Sequence, residues 1–470
     1  MKISKLILAV FVTLSFIGCA TYYQKSIQFQ KLFFNGDFEL ADKALSSNKK
    51  GETGINRLLY FCNRGTTKFM LGEFEESNAY FNKADSYIDT YSADYASEAL
   101  ALIANPMLKP YKAEDFESVT IHFYKALNYI NLNNYEDAIV ECRRVELVLR
   151  KMSEKYKQEG KHYRRDAFAH NLMGIIYDAA GNTNNAFIAY RNAVTIYEED
   201  YIPLFNTQIP TQLKKDLIRT ANKMGFGSEQ EFFERKFGIT YNPEEDADKG
   251  SLISFWLNGQ GPIKAEWSIM LSNIGTSMGF VTFANEEMGF SFPIYIGNYN
   301  SSTQEDLKSL SFIRMAFPKY VERPQFYTQA SLRYNNEEFP FEMGENFNNI
   351  AFQSLKDRMW REISNSIARV ALKKAMESAT RSQNEYLGAA LSITNMLTER
   401  ADTRNWQTLP YSINYNRIFL EEGEYTLQFS PIKDGNFTNT KEHQCTIKKG
   451  RTSFATFMNL ESNYAPKESY

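Results

Sequence analysis

The sequence has little of what usually announces a function. Its 470 residues include only four cysteines and four histidines. No Cys-x-x-Cys pair occurs, and no cysteine or carboxylate pattern completes a metal site around His122, His162, His170 and His443. A Gly-Lys-Ser/Thr phosphate loop is missing as well, so no cofactor is expected. Charge of one sign is not in excess: 53 Lys+Arg against 56 Asp+Glu leave a net of −3, without the positive field that holds a nucleic-acid backbone. Long apolar runs are absent too. The longest, Leu6–Ile17, is 12 residues, short of the roughly 20 that a membrane-spanning helix needs.

What is present begins with Lys2 and Lys5, the apolar stretch Leu6–Ile17 and then Gly18-Cys19-Ala20. This order fits a secretory signal peptide over residues 1–18. A small residue before a Cys at the end of the apolar core resembles the bacterial lipobox, from which Phe16 departs where Leu or Val is usual. The resemblance implies that Cys19 becomes the acylated first residue of the mature chain and holds a soluble body to a bilayer. Ala20 in place of Asp, and no acidic run after Cys19, imply the outer membrane and a periplasm-facing body. The alternative is an ordinary signal peptide with a nearby Cys. The remaining cysteines, Cys62, Cys142 and Cys445, form an odd set. They argue for packing residues, with one long-range disulfide as the alternative.

With 43% hydrophobic residues the chain is long enough for two to three domains with real cores. Its first half repeats itself. Gly65 is followed by Phe81 and Ala84, and Gly174 by Tyr190 and Ala193, at the same offsets of 16 and 19. Ala126, Cys142 and Val145 keep that spacing, with Tyr129, Tyr135 and Ala138 between, and Gly36, Phe38, Ala41 and Leu45 form a truncated copy. The pattern resembles the tetratricopeptide repeat, in which small residues let two antiparallel helices approach closely. The copies are unevenly spaced, so insertions interrupt the array, notably over Thr90–Ser118. A helix over Pro210–Ala221 and another capped by Ser228 and Glu231 are expected to close it. From Glu141 to Arg165 nine basic residues face four acidic ones, a local excess of +5. This is either a partner- or headgroup-binding face or a solvated helix.

After the acidic linker 241–250 the texture changes to short β-branched and aromatic runs. Strands are expected over 251–257, 265–271, 279–283, 291–296, 313–318, 326–334, 411–419, 424–429, 444–447 and 453–459, making an antiparallel sandwich or a strongly twisted sheet. Gly423 is expected to supply a turn conformation that a side chain would resist. Two helical patterns, 346–378 and 384–400, interrupt the strands as a helical insertion over 346–400. The fold class is therefore a multidomain α + β chain: a tetratricopeptide-like α-solenoid over 19–240, then a β-rich domain over 251–470 with an inserted long helix.

Several stretches together resemble a family of bacterial lipoproteins with tetratricopeptide-like helices and a β-rich domain. They are Pro110-Tyr111, Asp115-Phe116-Glu117, His122-Phe-Tyr124, Ala126–Tyr129, Val140–Arg144, Asn258-Gly259 with Pro262, Ala316–Tyr320 and Ala401–Trp406 with Leu409-Pro410. The resemblance implies a cell-envelope role linked to peptidoglycan assembly and no established activity. The reading is a membrane-anchored, non-enzymatic scaffold whose concave face receives a protein or peptide segment at Tyr124, Tyr129, Arg143, Arg144 and Tyr177. The competing reading is an envelope enzyme or glycan-binding protein with a site where the halves meet, using Glu117, His122, Glu141, Arg404 and Trp406. Against it, His122 with Glu141 is more simply a buried ion pair, and Arg404 with Trp406 a stacked pair holding a loop.

Overall fold

The computed structural model describes residues 22–48, 50–92, 107, 109–155, 163–287, 289–298, 301–359, 363 and 401–464. Four antiparallel helical hairpins come first: α1 (Tyr22–Phe34) with α2 (Phe38–Ser46), α3 (Arg57–Met70) with α4 (Phe74–Ser92), α5 (Asp115–Asn131) with α6 (Tyr135–Lys155), and α7 (Ala167–Ala179) with α8 (Thr183–Ile196). All four turns use one device. Gly36, Gly72, Asn133 and Gly181 adopt the left-handed conformation. The next N–H then bonds back to the carbonyl five residues earlier, as in Asp37 N to Leu32 O at 2.9 Å and Asn182 N to Tyr177 O at 2.8 Å.

The repeated offset has a steric cause. A Cβ at Gly65 would stand 2.7 Å from the Phe81 ring, and one at Gly174 2.5 Å from the Tyr190 ring. The second helix therefore lays an aromatic ring directly on the backbone of the first. Ala84 and Ala193 are fully buried, and in the third hairpin Ala126 and Cys142 are buried at the matching positions. The helical half is thus tetratricopeptide-like. Beyond α8 a π-helical turn, Tyr197–Tyr201, leads into α9 (Ile202–Phe205), and α10 (Thr211–Lys223) and α11 (Gly227–Phe237) close the array. The expected capping box does not form. Because α11 already begins at Gly227, Ser228 lies inside its first turn and bonds Glu229 instead.

The strands are β1 (Gly250–Asn258), β2 (Ile263–Ser277), β3 (Phe280–Asn285), β4 (Phe290–Tyr295), β5 (Phe312–Val321), β6 (Gln329–Tyr334), β7 (Glu337–Pro340), β8 (Glu342–Asn346), β9 (Ser412–Leu420), β10 (Gly423–Lys433), β11 (Asn436–Phe437), β12 (Lys441–Ile447) and β13 (Thr452–Asn459). They form three sheets: β13-β1-β9-β8; β11-β10-β6-β7 with β12 also on β10; and β4-β3-β2-β5. Helix α12 (Ser301–Ser309) and a helix over 347–359 accompany them.

The first sheet is buried on both faces. On β1, Ile253, Phe255 and Leu257 enter the core of the helical array, while Leu252 and Trp256 pack with Phe341 and Phe429 over the second sheet. The first two sheets stack as expected of a sandwich. The pairing is not purely antiparallel, however, because β13 runs parallel to β1. The third sheet has its own core, including Leu271, Phe283 and Met315.

Other expectations are corrected. Strands β7, β8 and β11 and helix α12 were not anticipated, since their acidic and polar residues read as loop. Gly423 opens β10 without a positive φ, and the left-handed residues nearby are Asp434, Gly435 and Asn439. Within the 241–250 linker, Asp246 accepts from Tyr241 Oη at 2.5 Å and pairs with Lys223 Nζ at 2.8 Å. The expected 346–378 helix is seen over 347–359 and at Ile363; the rest of it, residues 384–400, the 1–18 segment and Cys19 lie outside the described residues. Cys62, Cys142 and Cys445 are free thiols. No helix of the described residues is long and apolar enough to cross a membrane.

Replacing Gly174 by Ala should destabilise the chain by about 1–3 kcal/mol in urea unfolding, despite the higher helix propensity of Ala. The second change Tyr190→Leu should recover part of that loss, because it removes the ring that the new methyl meets.

Candidate functional site

The groove of the array, where a ligand was expected, holds the chain's own Ala401–Pro410 loop. Trp406, 1% exposed, sits with its ring 5.8 Å from Tyr124 and 5.9 Å from Phe81. Its backbone N–H donates to Glu117 Oε1 at 2.6 Å, and its indole N–H donates to Thr408 Oγ1 at 2.8 Å. Arg404 donates to Asn56 Oδ1 at 2.8 Å and to the Lys109 carbonyl at 2.9 Å, lies over the Tyr111 ring, and is held by Asp402. Tyr124 is completely buried between Phe69, Phe81 and Trp406. The expectation that Tyr124 offers surface to a partner is therefore corrected, and the reason is packing by residues far along the chain.

The residues of the competing reading fall into two separate groups. Glu117 belongs to the junction: it accepts from Tyr111 Oη at 2.5 Å and from the Glu114 N–H at 2.9 Å, forming a capping box for α5. Burial and the neighbouring Glu114 raise its carboxyl above the usual range. Burial would raise Glu114 too, but Arg358 and Lys264 bind it and hold it down at about 2. His122 and Glu141 lie deeper in the array, with Nδ1 2.8 Å from Oε2, and Lys125 Nζ is 2.9 Å from the other oxygen of Glu141. Burial opposes ionisation of Glu141, and its bonds to His122 and Lys125 outweigh that and lower it. Glu117, His122, Arg404 and Trp406 are each buried, with protein partners on their polar atoms. No group of three metal-ligating side chains occurs among the described residues.

An open concavity lies elsewhere among the described residues. Between α6 and α7 a cleft of about 520 Å³ has a floor of Val145, Leu149 and Met173 and a rim of Glu146, Arg150, Arg164 and His170. Two of the expected partner residues, Arg143 and Tyr177, stand beside it. Arg143 donates to Tyr177 Oη at 2.5 Å, one helical turn before Glu146 on α6 and one after Met173 on α7, and so closes one end. Arg144 points outward and pairs with Asp85 at 2.5 Å. Tyr129 is half-buried, its hydroxyl raised by burial and by Glu141. His170 Nε2 is 3.4 Å from Glu146, and burial lowers its pKa, so the ring is neutral above the ordinary histidine range.

Behind the cleft is a cluster that the sequence did not reveal. Asp166 caps α7 by accepting from Ala169 N at 2.7 Å and also accepts from Tyr163 Oη at 2.5 Å. Glu345 of β8 accepts from Tyr201 Oη at 3.1 Å. Both line a void of about 20 Å³. Burial, reinforced at Glu345 by the charge of Asp166, raises both carboxyls. The one available signal was Asp166 directly before a helical pattern, a common N-cap choice. The chain also carries the pentapeptide Gly275-Thr-Ser-Met-Gly279 with Gly-x-Ser-x-Gly spacing. A nucleophile elbow needs a strand-to-helix turn, whereas here Ser277 pairs with Phe280 across the β2–β3 hairpin.

No protein-family model matches the chain, and no curated protein matches it. Solved structures similar to it include the apo form of RapI, 17% identical over 46% of this chain and 68% of that one, with a TM-score of 0.32. MamA is 14% identical over 44% and 91%, with a TM-score of 0.28. A putative kinesin light chain from Podosopora anserina, with nearly identical TPR-like repeats, is 12% identical over 45% and 90%, with a TM-score of 0.29.

The Glu345 carboxyl has a pKa raised on folding, so its favourable contribution is complete below its unfolded value near pH 4.3 and is lost as pH climbs through the folded value. Glu345→Gln keeps the acceptor for Tyr201 without the charge. Urea titrations should find this variant close to wild type near pH 4 and more stable than wild type near pH 8.

Proposed function

We propose that the chain is a protein-binding scaffold of the bacterial cell envelope, tethered to a membrane through acylated Cys19, whose α6–α7 cleft receives a segment of a partner protein. The observation that carries this reading is the contrast between two surfaces of one array. The concave groove is filled by Trp406 and its loop, while the cleft between α6 and α7 stays open with an apolar floor and a rim of mixed charge on which Arg150 and Arg164 stand with Glu146. Such a cleft suits an apolar side chain flanked by polar or acidic groups, with the floor removing surface from water and the arginines orienting the segment. Helical hairpin arrays are well matched to this task because each helix pair contributes one step of an extended surface. The basic excess between Glu141 and Arg165 then serves the partner rather than only solvent.

The outer-membrane, periplasm-facing location belongs to the same proposal and rests on the Gly18-Cys19-Ala20 sequence. The link to peptidoglycan assembly rests on the family resemblance.

Recovery of partners from detergent-solubilised envelopes tests the cleft. Met173→Trp, which fills the floor, and the rim pair Arg150→Glu/Arg164→Glu should each reduce recovery of the same proteins about tenfold, equivalent to roughly 1.4 kcal/mol, with the helical circular dichroism unchanged. Undiminished recovery by Met173→Trp would remove the cleft from the reading. Mass spectrometry of the mature chain should find acylated Cys19, and Cys19→Ser should lose the acyl mass and weaken membrane association, moving part of the protein to the soluble fraction.

A further inference from the structure

The third sheet presents a surface that neither the groove nor the cleft explains. Met270, Ile274, Met278, Phe280, Tyr295 and Phe312 are all large, apolar and exposed, and all lie on it or at its tip. The strand alternation accounts for most of them. Ile269, Leu271, Val281, Ile294 and Ile313 point into the sheet's core, which turns Met270, Phe280, Tyr295 and Phe312 to the opposite face. The rings of Phe280 and Tyr295 lie 5.0 Å apart on that face. Met278 is in the turn beyond the last pair, Ser277 with Phe280. It is 93% exposed, with a φ of 50° that Gly or Asn would adopt more readily.

The charge pattern is as pointed as the apolar one. No charged residue occurs between Glu266 and Glu286, nor between Glu287 and Glu305. On the outer face the nearest charge is Arg314, which lies opposite Met270 and pairs with Glu266 at 3.0 Å, and Glu305 and Lys308 of α12 are exposed beside the sheet, where the Lys308 carbonyl accepts from Asn273. Water-exposed hairpins ordinarily carry charges to stay soluble and unpaired. Strand addition by a second copy is not what the surface suits: the edge strands β4 and β5 contain Pro293 and Pro318, which have no N–H to offer. A face-to-face dimer fits poorly as well. From strand spacing and rise the patch covers roughly 300–400 Å², against about 800 Å² per partner in a standard interface, and Met278 extends past the end of any flat contact.

We propose that the distal half of the β2–β3 hairpin, with Tyr295 and Phe312 beside it, is a membrane-contact surface that enters the interfacial region of a lipid bilayer. The charge distribution complements that medium. The turn at Met278 takes no ion out of water, and Glu266, Arg314, Glu286, Glu287 and the Glu305 and Lys308 of α12 stay at levels where headgroups and solvent meet them. A tyrosine just behind the tip suits the headgroup boundary. The contact is separate from any acyl chain at Cys19. Together the two would fix the orientation of the body on the membrane, as two weak anchors commonly do.

The test uses the full chain carrying Cys19→Ser, so that no acyl chain contributes, and flotation with phosphatidylcholine vesicles. The protein should float. Adding Ile274→Glu and Met278→Glu, both outside the core, should reduce the bound fraction by at least about tenfold with unfolding in urea unchanged. In a Met278→Trp version the added emission should shift to the blue with vesicles and be quenched by brominated phosphatidylcholine. Equal flotation with and without the two glutamates, or emission indifferent to vesicles, would overturn the proposal. A concentration-dependent dimer abolished by Met278→Glu, without flotation, would overturn it in favour of a second copy of this chain.

Discussion

Trp406 reaches into the groove of the helical array and rests against the stacked rings of Phe81 and Tyr124, and the geometry of both halves depends on that burial. The loop that carries Trp406 leads directly into β9, so seating the indole lays the first sheet against the helices. Once there, β1 is covered on both sides, by the array and by the second sheet, and all nine of its residues are buried. A strand buried on both faces must be apolar at odd and even positions alike, as Leu252 to Leu257 largely is. The cost falls on the groove, which is spent on the interior and no longer faces solvent. Any partner must then be met between helices or on their outer faces.

Buried charges register this interface. Arg417 projects from β9 into the array, where it pairs with Asp178 at 2.9 Å and Asp216 at 3.0 Å beside Arg219, two cations against two carboxylates. Burial works against an ionised Asp178, yet Arg219 and Arg417 hold it far below the usual carboxylate range. A slip of one residue along β9 would turn Arg417 to the opposite face and leave both acids uncompensated, which is far more costly than the matched set. Lys264 and Arg358 on Glu114 act in the same way at the other end of the interface. The Asp166 and Glu345 carboxyls have tyrosine hydroxyls in place of cations, and so they differ from these pairs in being raised rather than lowered.

Much of this was legible and the rest was not, for identifiable reasons. The helical hairpins were readable because Gly65 with Phe81 and Gly174 with Tyr190 are steric pairs at a fixed offset, so spacing alone encodes contact. The proximity of His122 to Glu141 followed from the same register. Strands with alternating apolar residues were visible, whereas β7 and β8, rich in glutamate, were not: Glu345 is buried in a strand that composition assigns to a loop. The parallel pairing of β13 with β1 has no local signal. The fate of Tyr124 was likewise invisible, because an aromatic in a repeat groove looks the same whether a ligand or a distant tryptophan covers it. The cleft was half legible: the basic stretch marked α6, but its apolar floor needs α7 beside it.

The order in which the first sheet is assembled follows from its topology. Ser251 bonds Thr452 across 201 residues of chain and Arg417 across 166. The helical hairpins close through contacts a few tens of residues apart. Local contacts form quickly and distant strand pairing slowly, so the array is complete while the strands that will cover it are still being made or searching for their places. For that interval the groove stands open, with Phe81 and Tyr124 facing solvent, and it presents a binding surface that the finished molecule lacks. A newly made chain therefore presents an aromatic groove that the folded one has closed.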